Sequence, residues 1–179
     1  MSIIEPVDKQ TRGMVSMNDI MAKVQSADGE PIKFYLHPGQ FFVCVENYAV
    51  TTILGSCVSV CLWDASTKIG GINHFLLPYD AGDGQASSRF GNLAVRELIE
   101  EVLALGAAQD HLQAKLFGGA CVLDAFRSRA NHLGAKNVEV ARRALQTANI
   151  PILGEDVGGY KGRKLIFHTD NGSAWVKEL

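Results

Sequence analysis

The sequence predicts a mixed α/β domain, α+β in character, in which antiparallel sheet outweighs helix. Three observations carry this. Short β-branched runs bounded by turn residues recur along the chain. Helical periodicity is confined to three stretches. Several neighbouring strand-like runs are joined by only a few turn-forming residues, which is the pattern of hairpins.

Residues 1–30 are polar, with Met14, Met17, Met21 and Val24 spaced to share one helical face. Residues 1–35 read as an N-terminal extension and residues 36–179 as a single domain. Asp28-Gly29-Glu30-Pro31 marks a turn, after which Ile32–Leu36 and Phe41–Val45 are strand-like, parted by His37-Pro38-Gly39. The runs Val58–Trp63 and Ile69–Leu77, linked by Asp64-Ala65-Ser66-Thr67-Lys68, form a hairpin. Tyr79 to Ser88 is rich in Asp, Gly and Ser and reads as a loop over the end of that hairpin.

Leu93, Val95, Leu98, Ile99, Val102 and Leu103 trace a helix that stops at Gly106, a good residue just past a helix end. Leu112–Phe117 alternates as a strand. A further helix spans about Ala135 to Ala148, burying Val138, Ala141 and Leu145, with Asn149 and Pro151 as its stop. Strands at Ile150–Val157, Arg163–Thr169 and Ala174–Lys177 finish the chain, the last two around an Asn171-Gly172 turn.

Bulk properties exclude several classes. A chain of 179 residues with 47% hydrophobic residues has enough apolar surface for a core. Its net charge of −2, with no basic cluster, offers nothing to a nucleic acid. No apolar run approaches the roughly 20 residues that span a bilayer, so no membrane insertion is expected. The polar N-terminus lacks the apolar core of a signal peptide, and a cytoplasmic protein is expected. Gly118-Gly119 and Gly158-Gly159 fall outside phosphate-loop contexts, so they read as tight strand ends and no cofactor is expected. The four cysteines lack the paired spacing of a structural zinc site, and no metal is expected. Cys44 and Cys61 read as core residues.

The chemistry gathers at Thr51-Thr52-Ile53-Leu54-Gly55-Ser56-Cys57 and at Gly70-Gly71-Ile72-Asn73-His74. A reversal centred between Ala65 and Ser66 sets Cys57 opposite His74, with Cβ atoms about 4.5–5.5 Å apart. Free cysteine is only slightly ionised at neutral pH, so a nearby imidazole that takes its proton raises the nucleophile population. Gly55 permits a sharp bend, and backbone N–H groups just past such a bend are free to face an oxyanion. Gly55, Ser56 and Asn73, which flank the pair, make up the expected substrate and oxyanion region. Thr51 or Thr52 has the hydroxyl to orient the imidazole. The bland reading, a buried cysteine and a satisfied strand histidine, stands beside this one.

The run TILGSCVSVCLWD…GGINHFLLP resembles the CheD family of chemotaxis proteins, glutamine deamidases acting on chemoreceptors. Arg89-Phe90-Gly91, Lys115 to Ala120, Gly134 to Val138 and Asp156 to Gly159 follow in family order. The resemblance covers about residues 36–179. It implies a cysteine-hydrolase fold similar to that of deamidating bacterial toxins, and hydrolytic conversion of receptor glutamines to glutamate through a Cys thioester. By motif position it puts the nucleophile at Cys57, the histidine at His74 and the catalytic threonine at Thr51. It also implies methyl-accepting chemoreceptors as substrate and a CheC-type phosphatase as partner. A non-catalytic adaptor, or another cysteine amidase, is the alternative.

Overall fold

A computed structural model describes residues 29–80, 87–126 and 131–179. The helical face read at Met14 to Val24, and most of the loop read at Tyr79 to Ser88, lie outside them.

The mixed α/β architecture has three layers among the described residues. Strands β2 (Phe41–Cys44), β5 (Ile69–Asn73), β4 (Val58–Asp64), β6 (Leu112–Gly118) and β7 (Ile152–Val157) form a five-stranded sheet in that order. Strands β1 (Ile32–Tyr35), β3 (Tyr48–Leu54), β8 (Arg163–His168) and β9 (Ala174–Glu178) form a second sheet. Helices α1 (Gly91–Ala104) and α2 (Leu133–Thr147) cover the outer face of the first sheet. Pairing is antiparallel except for β1 with β3 and β6 with β7. A parallel neighbour needs a long crossover, and α2 supplies it between β6 and β7.

Strand β4 shows why its sequence is almost continuously apolar. Val58, Val60 and Leu62 join the core beneath the helices with Leu98, Val102 and Leu145. Cys61, on the opposite face, joins Val50, Leu54, Leu165 and Phe167 between the sheets. With both faces covered, alternation with polar residues disappears.

The helix ends follow their expected signals. Gly106 adopts φ 110 and its N–H bonds Leu103 C=O, while Ala107 N–H returns to Val102 C=O. Asn149 does the same for α2, with φ 55 and Ile150 N–H on Leu145 C=O. Both satisfy carbonyls that a helix end otherwise leaves bare.

The first strand begins at Ile32, as the strand-like run Ile32–Leu36 suggests, and pairs with β3. Two expectations are corrected. The β8–β9 hairpin turns through Thr169–Gly172 rather than a two-residue Asn-Gly turn. The β4–β5 reversal is centred between Ser66 and Thr67, since Asp64 pairs with Ile69 and Val58 with Phe75. Cys57 therefore falls opposite Leu76, with His74 on the diagonal. The slip is an even number of residues, so both side chains keep a common face.

Candidate active site

That face is the one between the sheets. Val58 and Phe75, which exchange backbone hydrogen bonds of 3.1 and 3.0 Å, point into the core beneath the helices. Their neighbours Cys57 and His74 must point the other way. Accordingly, half-buried Cys57 packs on the core between the sheets. His74, 1% exposed, bonds a residue of the second sheet.

The surroundings of His74 determine its tautomer. Thr52 Oγ1 lies 2.7 Å from His74 Nδ1 and 2.9 Å from Leu36 C=O. A hydroxyl carries one proton and a carbonyl can only accept, so Thr52 donates to Leu36 and accepts from Nδ1–H. Nε2 is left as the bare acceptor, buried and without a hydrogen-bond partner among the described residues. The turn before β2 fixes the backbone: Gly39 N–H bonds His74 C=O at 2.7 Å, and His74 N–H bonds Gln40 C=O at 2.9 Å.

Burial lowers the imidazole pKa to about 4, with His37 nearby adding to the effect. Burial also pushes the Cys57 thiol up. Each charged form is disfavoured by loss of water. Of the two courses open to the pair, proton transfer before attack or together with it, these shifts favour the second.

Three candidate residues lie differently from expectation. Thr51 is one strand position from Thr52 and so points to the opposite face of β3; the hydroxyl on His74 belongs to Thr52. Asn73 is fully buried and, one strand position from His74, faces the helices rather than the second sheet. Its Oδ1 accepts from Val60 N–H at 2.8 Å, and its Nδ2 donates to Ala94 C=O at 3.1 Å. It fastens the sheet to α1 and cannot serve an oxyanion. Gly55 does not use the left-handed region, and a Cβ there would make an ordinary 3.5 Å contact with Val122.

The required glycines stand across from the corner instead. Gly118 and Gly119 adopt φ 107 and 71. A Cβ on Gly118 would collide with the Cys57 carbonyl oxygen, and one on Gly119 with Val138. The reading of this pair as a close backbone approach holds, and what it approaches is the nucleophile corner.

All three corner carbonyls are turned inward. Gly55 C=O accepts from Ala120 N–H at 2.8 Å, Cys57 C=O from Gly119 N–H at 2.8 Å, and Ser56 C=O from Asn137 Nδ2 at 2.9 Å. Asn137 Nδ2 also donates to Leu76 C=O at 2.9 Å, joining the corner to the strand that carries His74. Sequence reasoning gave Asn137 no role. Its signal was a polar residue on the same helical face as Ala141 and Leu145, where only an engaged amide is tolerated. Beside Ser56 an apolar groove of about 270 Å³ opens between Val122, Leu123, Phe126 and Leu133.

Cys57 and His74 share the face between the sheets, and a hydroxyl holds the imidazole in one tautomer; these are the residue types of a nucleophile–base–orienter triad. Comparison with known proteins places the chain among named deamidases. A family model described as CheD chemotactic sensory transduction matches residues 76–178, a span that begins just past His74 and bears on the scaffold. A protein of Anaeromyxobacter dehalogenans named probable chemoreceptor glutamine deamidase CheD 1 is 52% identical over 151 residues, 84% of this chain and 87% of that one. A span of that length must include Cys57 and His74. Proteins named probable chemoreceptor glutamine deamidase CheD from Trichlorobacter lovleyi and Sulfurimonas denitrificans are 46% and 40% identical. Each alignment covers 81% of this chain, and 90% and 93% of the relatives. Among solved structures, the Bacillus licheniformis hypothetical protein YfiH aligns with TM-score 0.43 and 17% identity over 65% of this chain and 49% of that one.

Proposed function

The chain belongs to the CheD family, and on that footing we propose that Cys57, His74 and Thr52 hydrolyse glutamine side chains of chemoreceptors to glutamate. The protein is a protein-glutamine deamidase of chemotaxis. The observation that supports this assignment of roles is His74 itself: Nδ1 is spoken for by Thr52, and a buried, bare Nε2 sits on the face that Cys57 shares.

As Cys57 Sγ attacks the glutamine Cδ, His74 Nε2 takes the thiol proton. The carbonyl oxygen becomes an oxyanion, held by backbone N–H groups of the corner. The imidazolium then returns the proton to the amide nitrogen, the C–N bond breaks and ammonia leaves, with the acyl group on sulfur. Water attacks this thioester, giving its proton to Nε2; the C–S bond breaks, glutamate departs and the thiol is restored. Thr52 keeps the ring in one tautomer throughout. A carboxamide is a poor electrophile, so a sulfur nucleophile and oxyanion donors must act together.

The reading places the work in the cytoplasm, the compartment that suits four free thiols. No helix among the described residues is long and apolar enough to cross a membrane. The family resemblance also carries a CheC-type phosphatase as a partner, which competition with a receptor fragment for binding would test.

The deciding experiment is peptide-level mass spectrometry of a receptor cytoplasmic fragment incubated with wild-type protein or Cys57→Ala. Conversion of particular glutamines to glutamate by the wild type alone establishes the reaction and the nucleophile. Binding without conversion favours a receptor-binding adaptor.

A further inference from the structure

We propose that Asn137 is the residue that aims the oxyanion hole, by locking the Ser56–Cys57 peptide with the Cys57 N–H turned toward the reacting carbon. The inference deepens the deamidase reading and rests on it for the identity of the substrate.

It starts from the planarity of the peptide bond. Peptides among the described residues are trans, so the C=O and N–H of one unit point in opposite directions. Ser56 C=O is drawn onto helix α2 by Asn137 Nδ2 at 2.9 Å. The N–H of that unit, which belongs to Cys57, therefore points away from α2. It belongs to the residue whose side chain bears the nucleophile, so the donor lies within one residue of the sulfur. A donor beside the sulfur also lies beside the carbonyl that the sulfur attacks. No other backbone group takes this N–H among the described residues. The preceding unit is set the same way, because Ala120 N–H holds Gly55 C=O and turns the Ser56 N–H outward.

Only the NH₂ end of an amide can meet two carbonyls at once, so the orientation of Asn137 follows from its partners. Its second proton goes to Leu76 C=O at 2.9 Å, which indexes the corner to the strand bearing His74. Asn137 is fully buried, and its Oδ1 has no partner among the described residues. Both donors of this buried amide are spent on carbonyls of the corner and of the segment following His74. Asn137 touches no reacting atom; it is a positioning residue.

Two small reagents separate aiming from mere folding. Acylation of Cys57 by p-nitrophenyl acetate passes through a tetrahedral oxyanion, whereas alkylation by iodoacetamide is a displacement at saturated carbon and forms none. Asn137→Leu keeps the shape and removes both donors; Asn137→Ser, smaller and with one O–H donor, serves if the leucine variant does not fold. The expected result is a fall of about 10²-fold in the acylation rate relative to the alkylation rate, the scale of losing one oxyanion donor. On a receptor fragment the loss should fall on kcat and spare KM. Leu145→Ala, on the same helix but away from the corner, should lower thermal stability and leave the acylation-to-alkylation ratio intact. The proposal is overturned if both rates fall together, if neither falls, or if Leu145→Ala changes the ratio as much. Because neither reagent needs the receptor, absence of deamidation by wild-type protein would sink the substrate assignment while this ratio still decides the role of Asn137.

Discussion

The β4–β5 hairpin carries two contrasting buried groups, Asp64 at the turn and His74 at the open end. At the turn, Asp64 is fully buried and fully engaged. Its Oδ1 accepts from Ser66 N–H at 2.8 Å and Ser66 Oγ at 2.6 Å, with Thr67 N–H at 3.3 Å, and its Oδ2 accepts from Ala108 N–H at 2.9 Å. At the open end, His74 Nε2, Ser59 Oγ and Asn137 Oδ1 are buried with no partner among the described residues. An isolated buried polar group costs free energy and a satisfied one stabilises. Asp64 is therefore placed to hold the turn, whereas His74 keeps one ring nitrogen unspent.

The sharpest way to break this contrast is at the open end. Cys57→Ala should reduce deamidation to background while thermal unfolding stays close to wild type, since a small side chain replaces a small one. His74→Gln should lower kcat by about 10²–10⁴, the usual contribution of a general base. Normal turnover in either variant would sink the assignment of the pair.

Neighbouring threonines give a finer test. Thr52→Val removes the hydroxyl on Nδ1 and frees the ring to change tautomer, so kcat should fall at least tenfold, by the logic of an orienting third member. Thr51→Val, on the other face of β3, should leave kcat within about twofold, since half-buried strand positions tolerate β-branched replacements. A loss with Thr51→Val and none with Thr52→Val, measured by ammonia release, would return the orienting role to Thr51.

At the turn, Asp64→Asn loses a charged acceptor and sets an NH₂ against backbone donors. It should cost about 2–3 kcal/mol in denaturant unfolding, on the scale of hydrogen bonds to a charged group. The rate of Cys57 alkylation should not change, because the defect lies at the far end of the hairpin. A slowed thiol would show that the two ends are not independent.

The ends should also separate in pH. His74 has a folded pKa near 4 against an ordinary 6.5, so the unfolded chain takes up its proton first as pH falls. Its contribution is whole above 6.5 and is lost as pH drops toward 4, a change of roughly 3 kcal/mol at 1.36 kcal/mol per unit. Asp64 is held well below the carboxylate range by its donors, despite burial. Its stabilisation is present above the ordinary 3.8 and disappears only below that. Stability measured against pH should show two steps, and His74→Gln should flatten the upper one alone. The same imidazole sets the acid limb of kcat/KM, expected well below pH 6.5 because the base remains neutral until then.

Much of this was legible in the chain because it is local. Strand and helix positions follow from periodicity over a few residues, and Gly106 and Asn149 end their helices through their own backbone preferences. The nearness of Cys57 and His74 is a hairpin property, and it survived a misplaced turn because an even slip keeps the face. What the sequence determined by itself is thus the set of elements, the common face of Cys57 and His74, and the family.

Tertiary structure decided which groups serve the pair. Alternation along β3 says that Thr51 and Thr52 face opposite ways, but only the second sheet packing on the first says which one meets His74. The Asn73 amide looked available until α1 laid Ala94 C=O against it. Asn137 is far from Ser56 along the chain, and the Gly118–Gly119 approach needs β6 beside the corner. Period fixes how side chains alternate; only the packing of layers distant in sequence chooses which face becomes the site.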